Sequence, residues 1–250
     1  MTIRAVVIAV LFVLPATSFG QDPDATTIVR EAVNQWRGVA SDGVMTMVIH
    51  RPKWERTMTM RAWTKGDEKS LVRVLEPAKD RGNGTLTDDN SMWSYSPKVN
   101  RVIKVPSSMM GQSWMGSDFS NKDVARADDI IDEYDHTIIG VEEIDGITVY
   151  EIQSIPHEDA AVVWGREVLR IRSDYVVVTH QFFDQDGELV KQLTTLEIGE
   201  KGGRTIAIRQ RMAKIETPDE WTQIQVDAIE YDVDLNDSLF TLSNLRNPRD

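Results

Sequence analysis

The residues able to do chemistry in this chain are few and badly spaced for most reactions. Ser113 lies in Gly111-Gln112-Ser113-Trp114-Met115-Gly116, close to a nucleophile elbow, but the second glycine arrives one residue late and no strand-to-helix turn surrounds it. The four histidines, at 50, 136, 157 and 180, fall into no HExxH or similar metal spacing. Asp232, Asp234, Asn236 and Asp237 begin like a calcium loop. The sixth position is then Asp237 instead of glycine and the twelfth is Ser243 instead of glutamate, so a capped helix start before Ser238, Leu239 and Phe240 reads better. Asp128, Asp129, Asp132, Glu133 and Asp135 form an acidic cluster that suits a solvated face or docking to a basic partner. There is no phosphate loop, dinucleotide fingerprint or cysteine, and no cofactor is expected. These negatives favour a binding or carrier protein over an enzyme.

The stretch that does point to binding is 93–123, WSYSPKVNRVIKVPSSMMGQSWMGSDFSNKD. Trp93, Arg101 and Lys104 belong to a strand rich in aromatic and basic residues. Met109, Met110, Trp114, Met115 and Phe119 then crowd a loop broken by Gly111 and Gly116. Unbranched, polarizable methionine adapts to irregular apolar partners, and glycine frees the backbone. The segment reads as a flap over an apolar site or as a loop packed on the edge of the core.

The elements that must position this stretch are mostly strands. A short amphipathic helix is expected from about Thr26 to Arg37, with Ile28, Val29, Ala32, Val33 and Trp36 at helical spacing, after which apolar residues alternate. Met45, Met47 and Ile49 share one face of a strand, and Met58, Met60 and Ala62 share one face of the next. Ser120 and Asp123 are set as a capping box for one helical turn. Turn chemistry at Gly66-Asp67, Asp145-Gly146, Asp186-Gly187 and Gly202-Gly203 separates further strands. The pattern predicts a mainly β protein with a few helices: roughly ten to twelve antiparallel strands in a strongly curved sheet, or incomplete barrel, covered by helices. The expected site is a cavity lined by Met45, Met47, Met58, Met60 and Trp93 and covered by Met109, Met110, Trp114, Met115 and Phe119. Plain core packing explains each strand methionine equally well. Arg101 and Lys104 suit an anionic headgroup, a partner, or the charge protection of a strand edge.

Composition bounds where such a protein works. Arg4, the apolar run Ala5 to Leu14, Pro15 and the small residues around Ser18 and Gly20 form a secretory signal over residues 1–20, too short for a comfortable membrane span. Residues 21–250 then form a single domain, exported and, in a cell with two membranes, periplasmic. Without cysteine, neither a lipid-modified N-terminal cysteine nor a disulfide framework is expected. A formal charge of −12 disfavours nucleic acid and anionic lipid headgroups as electrostatic partners.

The series Trp93-Ser94-Tyr95-Ser96-Pro97, Arg101, Lys104, Met115-Gly116-Ser117-Asp118-Phe119-Ser120 and Asp123 resembles the central signature of the bacterial outer-membrane lipoprotein-sorting family, relatives of LolA and LolB. The order of elements agrees over nearly the whole chain after residue 20. The resemblance implies a half-open β-barrel closed by helices, with an apolar cavity for acyl chains. It implies a periplasmic carrier of lipid or lipoprotein cargo, delivering toward the outer membrane and an acceptor there. A non-catalytic accessory subunit docked on an RND-type inner-membrane exporter is the alternative. The lid-locking arginine of LolA corresponds to Arg61, Arg73 or Arg101.

Overall fold

The computed structural model describes residues 24–125, 128–160 and 162–248; the expected signal segment lies outside the described residues. The leading helix α1 (Ala25–Arg37) begins where Asp24 accepts from the Thr27 amide at 3.0 Å and ends at Gly38, whose φ of 65° permits the reversal into the first strand. Six strands follow as hairpins: β1 (Ala40–Arg51), β2 (Trp54–Lys65), β3 (Lys69–Glu76), β4 (Gly84–Asp88), β5 (Ser91–Ser96) and β6 (Arg101–Lys104). After a connection carrying the short helices α2 (Asn121–Ala125) and α3 (Asp129–Asp132), seven more strands run to the C-terminal region. These are β7 (Tyr134–Ile144), β8 (Ile147–Pro156), β9 (Arg166–Arg172), β10 (Val177–Phe183), β11 (Leu189–Lys201), β12 (Arg204–Lys214) and β13 (Trp221–Tyr231). A 3-10 turn (Asp237–Phe240), capped by Asn236, and helix α4 (Leu242–Arg246) follow.

All thirteen strands join one antiparallel, curved, open sheet in the order β6-β5-β4-β3-β2-β1-β13-β12-β11-β10-β9-β8-β7. The count exceeds the expected ten to twelve because every alternating run, even the four-residue β6, keeps its own place in the ladder. The turns behave as their residues demand: at the β7–β8 hairpin, Asp145 and Gly146 both take positive φ, 53° and 78°. The order also fixes the role of the middle of the chain. Since β6 and β7 are the two edges, the residues between them must cross the sheet from one edge to the other.

Directly opposed residues share a face, so strand register shows which side is covered. Ile49 opposes Thr222, which opposes Met212, then Leu193, His180, Leu169 and Ile152 in turn. This is the inner face. Helix α1 closes its β7–β9 side by packing Ile28, Val29 and Ala32 on Ile152, Leu169 and Ile171. The crossing connection closes the β1–β5 side. On the outer face, Phe240 and Leu245 pack on Leu71, Leu86 and Tyr95.

Candidate functional site

Along β1 and β2 the inner face is a ladder of methionines. Met45 opposes Met60 and Met47 opposes Met58; Met92 of β5 joins them with Val72, Val74 and Ile49. Met47, Met58 and Met60 are at most 1% exposed, and Met45 is half-buried. Soft side chains therefore fill the inner face themselves. A cavity of about 280 Å³ lies elsewhere, between the exit of β13 and α4, lined by polar residues such as Asp234, Asn236, Thr241 and Asn244.

The crossing connection lies on this ladder as a cover. Its loop folds on itself through the Ser113–Ser120 bridge and a 2.8 Å bond from the Trp114 amide to the Phe119 carbonyl. Met115 and Gly116 turn the chain with φ of 52° and 81°. Trp114 is the anchor: it is buried in the methionine cluster, and its indole N–H donates to Thr85 Oγ1 at 3.0 Å, satisfying the one polar atom a buried tryptophan brings. Met110 and Met115 pack beside it. Met109 is 41% exposed, and Phe119 is half-buried outside the cluster. Ser113, considered above as a nucleophile, donates to the Ser117 carbonyl at 2.5 Å and serves the loop's own shape. The Ser120–Asp123 capping box forms as expected, with bonds of 3.1 and 2.7 Å.

Charged residues at the rim pin the cover. Arg51 holds buried Asp118 through two bonds of 3.0 Å, and Thr222 donates to the same carboxylate at 2.7 Å. Arg56 donates to the Met115 carbonyl at 3.3 Å and pairs with Asp80 at 3.0 Å. From β11, buried Lys191 reaches Asp123 at 2.6 Å, its ammonium lying over the rings of Phe182 and Trp164. None of the three arginines offered by sequence touches the loop in these ways. Arg61 and Arg73 oppose each other on the outer face, where Arg61 pairs with Asp42 and Arg73 donates to the Asn244 carbonyl; Arg101 is exposed on edge strand β6. The reason is parity. Arg51 continues the row Met45-Met47-Ile49 and Arg56 begins the row Met58-Met60-Ala62, whereas Arg61 and Arg73 fall between inner-facing neighbours.

The same parity sets Trp93 apart from the methionines. Met92 faces inward, and Trp93 packs on the outer face beside Tyr95, with Lys104 at 5.5 Å from its ring. Lys104 thus belongs to the outer face, whereas Arg101 opposes Ser96, in phase with Met92, and is exposed on edge strand β6.

A second set of polar residues lies across the other half of the inner face. His136, Ser154, Glu167, Phe182 and Lys191 are successive directly opposed partners on β7 to β11. Glu167 is buried, accepts from the Tyr134 hydroxyl at 2.6 Å and meets His180 Nε2 at 2.5 Å. Desolvation, reinforced by the Glu167 charge, raises the Tyr134 phenol well above its ordinary range. Desolvation lowers the His136 imidazole below its usual value. Histidines far apart in sequence are thus gathered on one face, yet no metal-holding group of three or more His, Cys, Asp or Glu exists among the described residues.

A family model described as "Uncharacterized protein" matches residues 66–247, well over half of the chain and all of the cover. The chain belongs to this family. Its fold is that of the LolA superfamily. A crystal structure of a DUF1329 family protein from Desulfovibrio piger matches with a TM-score of 0.79 at 26% identity, over 88% of this chain and 97% of that one. An outer membrane lipoprotein-sorting protein domain from Vibrio parahaemolyticus matches at 0.78 and 22% identity, over 89% and 98% of the two chains. A LolA superfamily protein from Nitrosomonas europaea matches at 0.72 and 22%, over 88% and 98%. The last two likenesses are of fold. No curated protein matches the chain.

Proposed function

We infer that this chain is an exported, non-catalytic carrier that takes an acyl chain onto the methionine ladder of its inner face. The observation that carries the reading is the ladder beneath a loop whose apolar residues rest on it while its polar ties sit at the rim. A cover held this way detaches by breaking a few charged contacts, and methionines repack around chains of varied shape. The gain is large enough: an acyl chain of about fifteen carbons contributes on the order of 10 kcal/mol before ordering costs, at ~0.8 kcal/mol per CH2. Residues 1–20 supply the export signal, residues 21–250 form one carrier domain, and the compartment is the periplasm. The fold shared with the lipoprotein-sorting domain supports lipid or lipoprotein as cargo, passed from an inner-membrane donor toward an outer-membrane acceptor.

The alternative that the resemblance offers, docking on an RND-type exporter without cargo, has the acidic cluster as its surface, and part of that cluster pairs inside the chain. Asp129 pairs with Lys122 at 3.1 Å, Asp132 with Arg30 at 3.8 Å and Asp135 with His157 at 3.4 Å.

The test is to purify the protein gently from the periplasm, extract it with organic solvent and identify co-purified lipid by mass spectrometry. Met58→Asp/Met60→Asp, confirmed as folded by circular dichroism, is the control. A stoichiometric lipid lost from the control supports the carrier. An empty wild-type protein that also takes up no fluorescent fatty acid removes it.

A further inference from the structure

The inner-face rows of β1 and β2 change character toward the start of β1. The opposed pairs read Met47–Met58 and Met45–Met60, then Gly43–Ala62 and Ser41–Thr64. As the side chains shrink, the filled face opens into a groove of about 40 Å³, whose lining includes Met45, Val226 and Ala228 and which the end of α1 borders with Trp36 and Arg37. Its lining is mostly apolar; the Ser41 and Thr64 hydroxyls bond each other, and Arg37 brings the one charge.

Arg37 is more than nine-tenths buried. Its Nη2 donates to the backbone carbonyls of Gly66 at 2.9 Å and Asp67 at 3.1 Å, whereas its buried Nε–H has no acceptor. No carboxylate lies within ion-pair distance of this guanidinium among the described residues; Asp67 and Asp128 act on it only through space. A buried cation normally acquires an anion, because leaving it uncompensated is costly. Here a buried guanidinium with no contacting carboxylate and an unmatched Nε–H stands at the end of an apolar groove beside the methionine ladder.

We propose that this groove seats the head of an amphiphile with a single acyl chain and an anionic head, its carboxylate or phosphate at Arg37 and its tail displacing the side chains that now fill the row along β1 toward Met45 and Met47. The assignment rests on the carrier reading and adds the class of cargo and its orientation. From Ser41 to Ile49 the row spans about 26 Å at ~3.3 Å per residue, enough for a long acyl chain. The head lies at the α1 end, opposite the rim where Arg51 holds the loop, and the tail reaches the buried methionines only when that loop lifts.

Binding of hexadecanoate, hexadecyl phosphate and uncharged hexadecanol to the delipidated protein, measured by displacement of a fluorescent fatty acid, tests this. Both anions are expected to bind at least about tenfold more tightly than the alcohol, the scale of a charge-assisted contact. A preference between the two anions tells a fatty-acid head from a phospholipid-type head. Arg37→Gln should erase the advantage of the anions. Ala228→Glu, at an exposed position of the same groove, should weaken both anions and spare the alcohol without touching the arginine. Equal affinity for all three probes, or an anion advantage that survives Ala228→Glu, overturns the head assignment and leaves the carrier reading standing. Failure of every probe to bind removes both.

Discussion

Arg51 and Asp118, sixty-seven residues apart, meet in a two-pronged ion pair that joins the end of β1 to the crossing loop, with the carboxylate only 3% exposed. Removing one partner of such a pair strands a buried charge, at a cost of about 3–5 kcal/mol unless the loop lifts and rehydrates it. The loop has that freedom, because Asp118 can reach water by undocking. Arg51→Met is therefore expected to speed hydrogen exchange at the Trp114 and Ser117 amides by at least about tenfold, with the β8–β9 amides unchanged. Uniform acceleration across the sheet would mean that Arg51 supports the whole fold and not the cover.

Lys191 and Asp123 form the matching tie from the far half of the sheet, at 2.6 Å with both side chains largely buried. A double-mutant cycle of Lys191→Met and Asp123→Asn, read by chemical denaturation, should give a coupling above about 1 kcal/mol. Additivity within about 0.5 kcal/mol would show that the two groups are independent.

Trp93 and Lys104 lie on the outer face, and Arg101 is exposed on edge strand β6. Alanine at Arg101 or Lys104 should leave fatty-acid uptake unchanged. Trp93→Ala should lower stability by about 1–3 kcal/mol, a typical cost for lost packing, without altering affinity in the folded fraction. Weakened uptake in Arg101→Ala or Lys104→Ala would return the headgroup to the sheet edge.

Much of this was legible because β alternation is a local signal. Met45-Met47-Ile49 and Met58-Met60-Ala62 announce their shared face, and Ser120 with Asp123 announces a cap within four residues. Trp93 was misplaced by one step of the same alternation: its neighbour Met92 takes the inner position. Arg51 and Arg56 are each in phase with a methionine row, but they stand at the strand ends, where the apolar alternation that marks the row has stopped. The Glu167–His180–Tyr134 contacts and the groove at Arg37 were not readable, because both depend on which distant strands become neighbours.

Burial holds the folded-state pKa of His136 below its unfolded value of 6.5, so the unfolded chain takes up a proton that the native protein resists. The stability this contributes is fully present above 6.5 and is lost as the pH falls from there toward the folded value. His136→Gln should flatten that part of the stability profile measured by urea unfolding between about pH 7 and 5. An unchanged slope would assign acid sensitivity to other groups.

The central claim is that the crossing loop must lift for an acyl chain to reach the methionines, and the absence of native cysteine allows a direct test. Asp118 and Thr222 are in contact, the Asp118 amide donating to Thr222 Oγ1 at 2.9 Å, so Asp118→Cys/Thr222→Cys places a thiol pair across the loop and β13. Uptake of a fluorescent fatty acid would be measured with the pair oxidised and again after reduction. The account predicts little uptake when the loop is stapled and recovery when the bond is reduced. Equal uptake in both states would contradict it.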